Sequence, residues 1–578
     1  MPLLHSDPLL STMRSSAAEL VACVLSELFP QALMVGGAAT DYGFFYDFIS
    51  DQPMDRQILE ILETRAKALI KEGKPIRSLS LMRENAFDFL THHHQPILAE
   101  RALAEETNVV SVFQLDAFYG LCPEPHVQST DIIGCIKLLE IEKAIRYLPG
   151  QGLVDVKRIQ GTTFSNSMLL KQFVKAYDKL KKFDHRVLGS ELNLFHFFER
   201  VGQVDCFWFA KGKILLDQIL SVWEEDCKKS SVQKVTSPLV AYESFLELNK
   251  LRFPAFSIDE KEYTLSSSRS DHHAQIFNYQ AFSASEWPIR IGEVARVYED
   301  MESFQLCGLF RSRSYQSDLV SIFCGEEQLK EEINYSLHFI NQIITIFEFE
   351  AYWYLVGSTS KRIKVRQRDQ ALEWLKTALE EGSILYELDE DEGDPRIEVR
   401  IVDSLGKEWV GSSVTVALSV KERLKAMGCG VLPEVLTRTL FSSLDRFIGL
   451  LIEQWKGNFP MWLAPEQVRV LSMGEQSRSY AEFVCTMCRQ QGLRTSLDSR
   501  NEKLGTKIHA AERERVPYLL IIGDKEVSKN QVSVRTLQDR DKMSLVDLDD
   551  FLLKRQEDVA KSMGRTNTIR ELGSQLES

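Results

Sequence analysis

The stretch Val516-Pro517-Tyr518-Leu519-Leu520-Ile521-Ile522-Gly523-Asp524-Lys525-Glu526 decides how the C-terminal part of this chain folds. Its uncharged run, bounded by a proline and a glycine, has the length and composition of a buried strand. Upstream, Val468-Arg469-Val470-Leu471 reads as another strand and residues 478–491 as a helix. Buried strands alternating with helices predict a small α/β domain with a mainly parallel sheet over residues 459–555. Cys485 and Cys488 fall in that helix with Phe483 and Met487. No second ligand pair accompanies them, so they are expected in the core. The polar residues 556–578 are expected to fray.

Towards the N-terminus, residues 201–458 alternate strands and helices. Residues 333–347 place Ile333, Leu337, Ile340, Ile344 and Phe347 on one helical stripe, with His338 beside it in a structural role. The acidic residues 388–395 predict a solvated turn. Residues 161–200 contain a helix over 168–182, expected to connect two domains. Residues 1–160 form a mixed domain that includes an amphipathic helix over 55–71, stopped by Gly73. His92-His93-His94 is expected in a solvated loop.

Composition narrows the class of protein without naming its chemistry. The 578 residues allow several domains, and 44% hydrophobic with 26% charged is an ordinary globular balance. No apolar run approaches the roughly 20 residues that span a bilayer. The opening Met1-Pro2-Leu3-Leu4-His5-Ser6-Asp7 lacks the basic-then-apolar order of a signal peptide. Ten cysteines are too few for a disulfide scaffold. A cytoplasmic protein is therefore expected. The net charge of −14 excludes indiscriminate nucleic-acid binding by the whole surface. It leaves room for one local basic face. Between residues 489 and 515, seven basic residues (Arg489, Arg494, Arg500, Lys503, Lys507, Arg513, Arg515) stand against four acidic ones, which suits a specific RNA contact.

Several strings then occur in a telling order. They are Tyr42-Gly43-Phe44-Phe45-Tyr46-Asp47-Phe48, Cys122-Pro123-Glu124-Pro125-His126-Val127, Asp184-His185-Arg186-Val187-Leu188-Gly189-Ser190-Glu191-Leu192, Asp445-Arg446-Phe447-Ile448-Gly449 and Asn501-Glu502-Lys503-Leu504-Gly505-Thr506-Lys507-Ile508. Together, over about residues 12–555, they resemble threonyl-tRNA synthetase, a class II aminoacyl-tRNA synthetase. The small N-terminal domain that many members carry ahead of this region is not expected here. The resemblance implies an α+β multidomain chain. An editing-type α/β domain (1–160) and a connecting helix (161–200) come first. A class II catalytic domain on a mainly antiparallel sheet (201–458) and an anticodon-binding α/β domain (459–555) follow. It also implies a homodimer, paired around Pro238, with tRNA as partner.

What the resemblance implies for the synthetic site is mixed. Arg311 and Arg446 match arginines that hold ATP phosphates, and Tyr315 matches an aromatic that stacks on adenine. ATP is therefore the cofactor to expect in any residual pocket. The arginine that contacts the α-phosphate aligns with Glu299, where an acid repels phosphate. Arg296, three residues before, is the remaining candidate for that task. Threonine is nearly isosteric with valine, and the family distinguishes them with zinc held by one cysteine and two histidines. Those positions are Ser270, Ser321 and Thr437, with His272 and His273 nearby in sequence. The expected metal is therefore none. The carboxylate that reads the threonine hydroxyl aligns with Leu319. A Gln-Cys-Gly-Thr run aligns with Val410-Gly411-Ser412-Ser413, and a pocket aromatic falls in Glu392-Gly393-Asp394.

At the editing-type site, Ser15 and Glu19 stand for two histidines. Cys122 and His126 keep the other half, and Gly120 stands for an aspartate. At the RNA end, Glu502, Lys503 and Lys507 lie in the matching turn and helix, and His509 replaces an arginine. The leading expectation is a threonyl-tRNA synthetase-like chain that binds tRNA or tRNA-like RNA and has lost or impaired threonine activation. Two alternatives remain open. One is an active, divergent threonine–tRNA ligase; the other is a repurposed ATP-dependent acyl transferase using Arg311, Tyr315 and Arg446.

Overall fold

The structure is a computed structural model that describes residues 9–105, 107–121, 125–198, 205–242, 256–265, 269–301, 305–537, 539, 542–555 and 558. The chain divides into two units, Met1–Lys181 with Leu405–Lys407, and Lys182–Ser404 with Glu408–Ser578. No described helix is long and apolar enough to cross a membrane. Apart from residue 558, the polar segment 556–578 lies outside the described residues.

In the first unit, an antiparallel sheet runs in the order Leu33–Thr40, Gly43–Ile49, Gly152–Phe164, Cys135–Leu148. The helix Leu10–Leu28 lies against it, buried continuously from Met13 to Leu25. A small sheet of Arg77–Met82, Val109–Leu115 and Phe118–Leu121 completes the core. Local signals explain the helix Arg56–Glu72. The Asp55 side chain accepts from Gln57 N and Ile58 N, and Gly73 ends it at φ 63°. Asp47 is fully buried and accepts two bonds of 2.8 Å from Arg158, whose guanidinium lies over the Phe45 ring. The helix Ser167–Leu180 packs back on the larger sheet, with Phe173 buried beside Phe164.

The second unit holds an eight-stranded sheet. Its order is Gln233–Lys234, Ile289–Tyr298, Ser314–Cys324, Glu434–Thr439, Glu408–Val416, Arg396–Val402, Ala351–Ser358, Tyr386–Asp391. Pairing is antiparallel except at the two ends. The acidic residues 389–391, expected in a turn, instead finish the edge strand. Arg400 pairs with Asp389, and Arg396 with Asp391. Acids on an exposed edge discourage pairing with another chain, so charge here marks a strand.

The C-terminal sheet runs Thr495–Asp498, Val468–Ser472, Tyr518–Ile522, Gln531–Thr536, Met543–Asp547. The first three strands are parallel, and Gln531–Thr536 alone runs antiparallel to both of its neighbours. The reason is the short connection after Ile522. The helix Asp524–Lys529 ends at Asn530, φ 56°, which turns the chain straight back. A parallel crossover needs a longer link. Cys485 and Cys488 lie in this domain's apolar core.

Candidate functional site

The hairpin Ile289–Tyr298 and Ser314–Cys324 sets which side chains share a face. Val297 lies opposite Tyr315, Glu293 opposite Leu319 and Ile291 opposite Ser321. Directly paired residues point to the same side of a sheet, and the side alternates along each strand. One face therefore carries Glu293 and Val297 with Tyr315, Ser317, Leu319 and Ser321. Glu299 continues this alternation, held by a 2.9 Å bond from its N to Arg313 O. Its Oε1 accepts the Tyr315 hydroxyl at 2.5 Å. Burial first, and then the Glu299 carboxylate, push the Tyr315 pKa well up.

Arg296 lies opposite Gln316 and so belongs to the other face. Its guanidinium pairs with Asp205 and lies 3.3 Å from Ser314 Oγ. That removes it as a substitute for the arginine missing at Glu299. Asp318, beside Leu319, also faces away. It is buried and accepts Leu440 N at 2.7 Å and Phe441 N at 2.9 Å. Asp318 therefore supplies no carboxylate to the face that carries Leu319, and the carboxylate directly opposite Leu319 is that of Glu293.

The two expected phosphate arginines do come together. Arg311 lies 5.4 Å and Arg446 5.3 Å from the centre of the Trp409 ring. The ring's Nε1 donates to Asp403 at 2.7 Å. Arg446 donates from Nε to Phe310 O at 2.8 Å and from Nη1 to Val410 O at 3.4 Å. Next to it, Asp445 accepts from Trp208 Nε1 and Gln316 N. In the run that follows Trp409, Ser412 donates to Leu440 O and Ser413 meets Thr439.

Two of the three positions assigned to zinc ligands are brought together as hydroxyls. Ser321 and Thr437 are direct partners on adjacent strands, and Ser270 begins the helix Ser270–Gln280. One turn along that helix, His273 is fully buried, with Nδ1 2.9 Å from Ser321 Oγ and Nε2 3.3 Å from Glu293 Oε1. Glu293 also accepts from Ser237 Oγ at 2.5 Å and Ser237 N at 2.9 Å. Burial alone would raise the Glu293 pKa. The bonds from His273 and Ser237 outweigh it and bring it to about 2. The His273 imidazole thus stands between the Ser321 hydroxyl, bonded at Nδ1, and the Glu293 carboxylate. His272, one residue earlier, is turned about 100° away around the helix. These residues do not fit zinc. Neutral hydroxyls are poor ligands, and Nδ1 of the His273 imidazole is already bonded to Ser321. Spacing in the sequence could not reveal this cluster, because its members come from four separate segments.

In the first unit, Ser15 and Glu19 are buried on the Leu10–Leu28 helix, while Cys122 lies outside the described residues. His126 has its pKa lowered to about 4 by burial, so its ring is neutral. Ser16, which the sequence reading passed over, accepts Val127 N at 3.0 Å, donates to Thr12 O at 2.8 Å and lies 3.4 Å from His126 Nδ1. The Glu19 carboxylate covers Gly120. A Cβ at 120 would come within 2.2 Å of Glu19 Oε2. The acid on the helix thus fills the space that a side chain at position 120 would occupy. Gly120→Ala is expected to cost about 1–3 kcal/mol, as overpacking does. In a Glu19→Ala background the added methyl is expected to cost almost nothing. A double-mutant cycle by urea unfolding checks this; equal costs in both backgrounds would refute it.

At the RNA end, one expectation is corrected. Lys507 is only 2% exposed and donates to Ser472 O at 2.7 Å and Asp498 O at 3.2 Å. It joins two strands of the domain and is not available to RNA. Arg494 likewise donates to Ala464 O and Trp462 O, and Arg500 pairs with Asp498 and Glu502. Charge counted along the chain therefore overstates the basic face. Glu502, Lys503 and His509 are exposed.

Comparison with known proteins fits this geometry. Residues 255–455 match the tRNA synthetase class II core domain (G, H, P, S and T), and residues 467–556 match the anticodon binding domain. Sheet, hairpin and matched regions together define a class II aminoacyl-tRNA synthetase. A threonine–tRNA ligase of Clostridium tetani is 31% identical over 565 residues, covering 94% of this chain and 87% of the relative. One from Clostridium acetobutylicum is 29% identical over 562 residues, with the same coverage. The RNA binding domain of threonyl-tRNA synthetase from Cryptosporidium parvum superposes with a TM-score of 0.61 at 25% identity, over 64% of this chain and 97% of that one. The prolyl-tRNA synthetase of Giardia lamblia shares the fold, with a TM-score of 0.52 at 13% identity over 68% of this chain and 81% of its own. The chain belongs to the threonine–tRNA ligase family.

Proposed function

We propose that this chain is a cytoplasmic homodimer that binds tRNA or a tRNA-like RNA and does not activate threonine. The observation that carries the reading is Glu299. It lies on the face of the hairpin that carries Tyr315 and is bonded to it, while Arg296 is turned to the other face. An acid at about 4 Å from a phosphate oxygen costs about 1–4 kcal/mol, depending on screening. The hydroxyls at Ser270, Ser321 and Thr437 act in the same direction by leaving no metal to sort threonine from valine. A second reading draws on one feature. Arg311 and Arg446, gathered at one indole ring, suit a nucleotide-dependent transfer on another substrate.

RNA binding is tested by filter retention of an unfractionated tRNA pool across a salt series. Wild type is expected to bind with a clear salt slope. Lys503→Ala is expected to weaken binding severalfold and flatten the slope by about 0.7–0.9. Lys507→Met is expected to lower stability instead. A folded wild-type chain that retains no tRNA would defeat the reading.

A further inference from the structure

The turn that carries Arg311 is held by a residue far away in the sequence. His185 opens the helix His185–Glu191 and is buried. Its Nδ1 lies 2.8 Å from Glu453 Oε1, and its Nε2 lies 3.1 Å from Leu309 N. A backbone N–H can only donate, so Nε2 is the unprotonated nitrogen. Nδ1 therefore carries the proton and donates it to Glu453. Glu453 is fixed in turn, accepting His185 N at 3.2 Å and Ser404 Oγ at 2.8 Å. Among the described residues, Asp184, His185 and Glu453 are the one group with three potential metal-binding atoms close together. Both ring nitrogens are already committed, so the geometry favours a hydrogen-bond relay over a metal site.

The turn itself is shaped to meet the ring. Gly308 has φ +55°, and a Cβ there would lie 2.4 Å from His185 Nε2. The Phe310 ring packs 4.2 Å from the imidazole, centre to centre. Within the turn, Cys307 N donates to Arg311 O at 2.9 Å and Phe310 N to Cys307 O at 3.0 Å. Phe310 O then accepts Arg446 Nε at 2.8 Å. Arg446 and Glu453 lie seven residues, two turns, apart on the helix Leu444–Gln454 and so share one face of it. The path Glu453, His185, Leu309, Phe310, Arg446 therefore closes on a single helix.

We propose that His185 is a positioning residue whose Nδ1-protonated ring holds the 307–311 turn so that Arg311 and Arg446 together receive the polyphosphate of a nucleotide. The proposal rests on the nucleotide reading of that arginine pair.

Two substitutions separate the two ring nitrogens. His185→Gln places an acceptor near the Nε2 position, and His185→Asn places a donor near the Nδ1 position. Hydrogen exchange at the Leu309 amide is measured with residue resolution, alongside ATP affinity by calorimetry, in chains with wild-type circular dichroism. His185→Gln is expected to keep Leu309 protected and ATP affinity within about threefold of wild type. His185→Asn is expected to lose at least about tenfold in both, although it preserves the Glu453 contact. A general loss of packing would affect the two variants alike. Leu309 protection equal to wild type in His185→Asn overturns the positioning role. Wild type that binds no ATP while Leu309 shows the expected pattern overturns the nucleotide reading and leaves a structural clamp.

Discussion

The triple variant Ser270→Cys, Ser321→His, Thr437→His is expected to hold one zinc ion through gel filtration, whereas wild type is expected to emerge with none. Ser321 and Thr437 are direct cross-strand partners, and Ser270 opens the helix that brings His273 to Ser321. Two of the positions are therefore side by side, and the third opens the helix that reaches Ser321. One thiolate and two imidazoles leave an open fourth position, the usual form of a substrate-binding zinc site. Micromolar retention corresponds to about 8 kcal/mol of binding gained. Zinc is read by atomic absorption, and the thiolate by the colour of the cobalt-substituted protein. The variant is not expected to recover threonine activation while Glu299 is in place. A folded variant that takes up no metal would show that the three positions have drifted apart.

The second large effect is expected at Glu299. Glu299→Arg replaces a repelling charge with an attracting one on the face that bears Tyr315. In a partly screened pocket the reversal is worth about 1–3 kcal/mol toward a phosphate. Affinity for magnesium ATP is therefore expected to rise about ten- to a hundredfold by calorimetry. The substitution also frees the Tyr315 hydroxyl from its acidic partner. Unchanged affinity would mean that phosphate does not approach this face.

How much of this was legible in the sequence depends on whether the information was local. Gly73 marks the end of a helix through chain-neighbour chemistry, and the structure places it as the cap. The uncharged run from Tyr518 to Ile522 is a buried strand because both faces are covered. The order of family strings led to the class and family that comparison supports. Glu299 and Arg296 needed one further fact, the hairpin register, which decides which of two nearby residues shares a face with Tyr315.

Other features depend on contacts that no window of sequence contains. Lys507 counted toward a basic patch, yet its ammonium is drawn inward to two carbonyls. A charge pattern gives the sign of a residue but not its direction. The acids at 389–391 read as a turn, because alternation is hard to see when successive residues are charged on an exposed edge. Glu19 and Gly120 each look like a loss when read alone, and only their contact shows that they fit each other. His185 stood in a recognised string, but its partners lie 124 and 268 residues away, so its task was invisible. The Ser321, His273, Glu293 cluster likewise assembles across separate elements.

The central claim is that this synthetase fold no longer activates threonine, and ATP–pyrophosphate exchange tests it most directly. Purified, folded protein would be assayed with each of the twenty amino acids, with and without added zinc. The account predicts no threonine-dependent exchange under either condition. Exchange with a different amino acid would direct attention to Arg311, Tyr315 and Arg446 as a repurposed nucleotide site. Threonine-dependent exchange by the wild-type chain would contradict the account, because it would require activation with Glu299 at the phosphate and hydroxyls where the metal ligands should be.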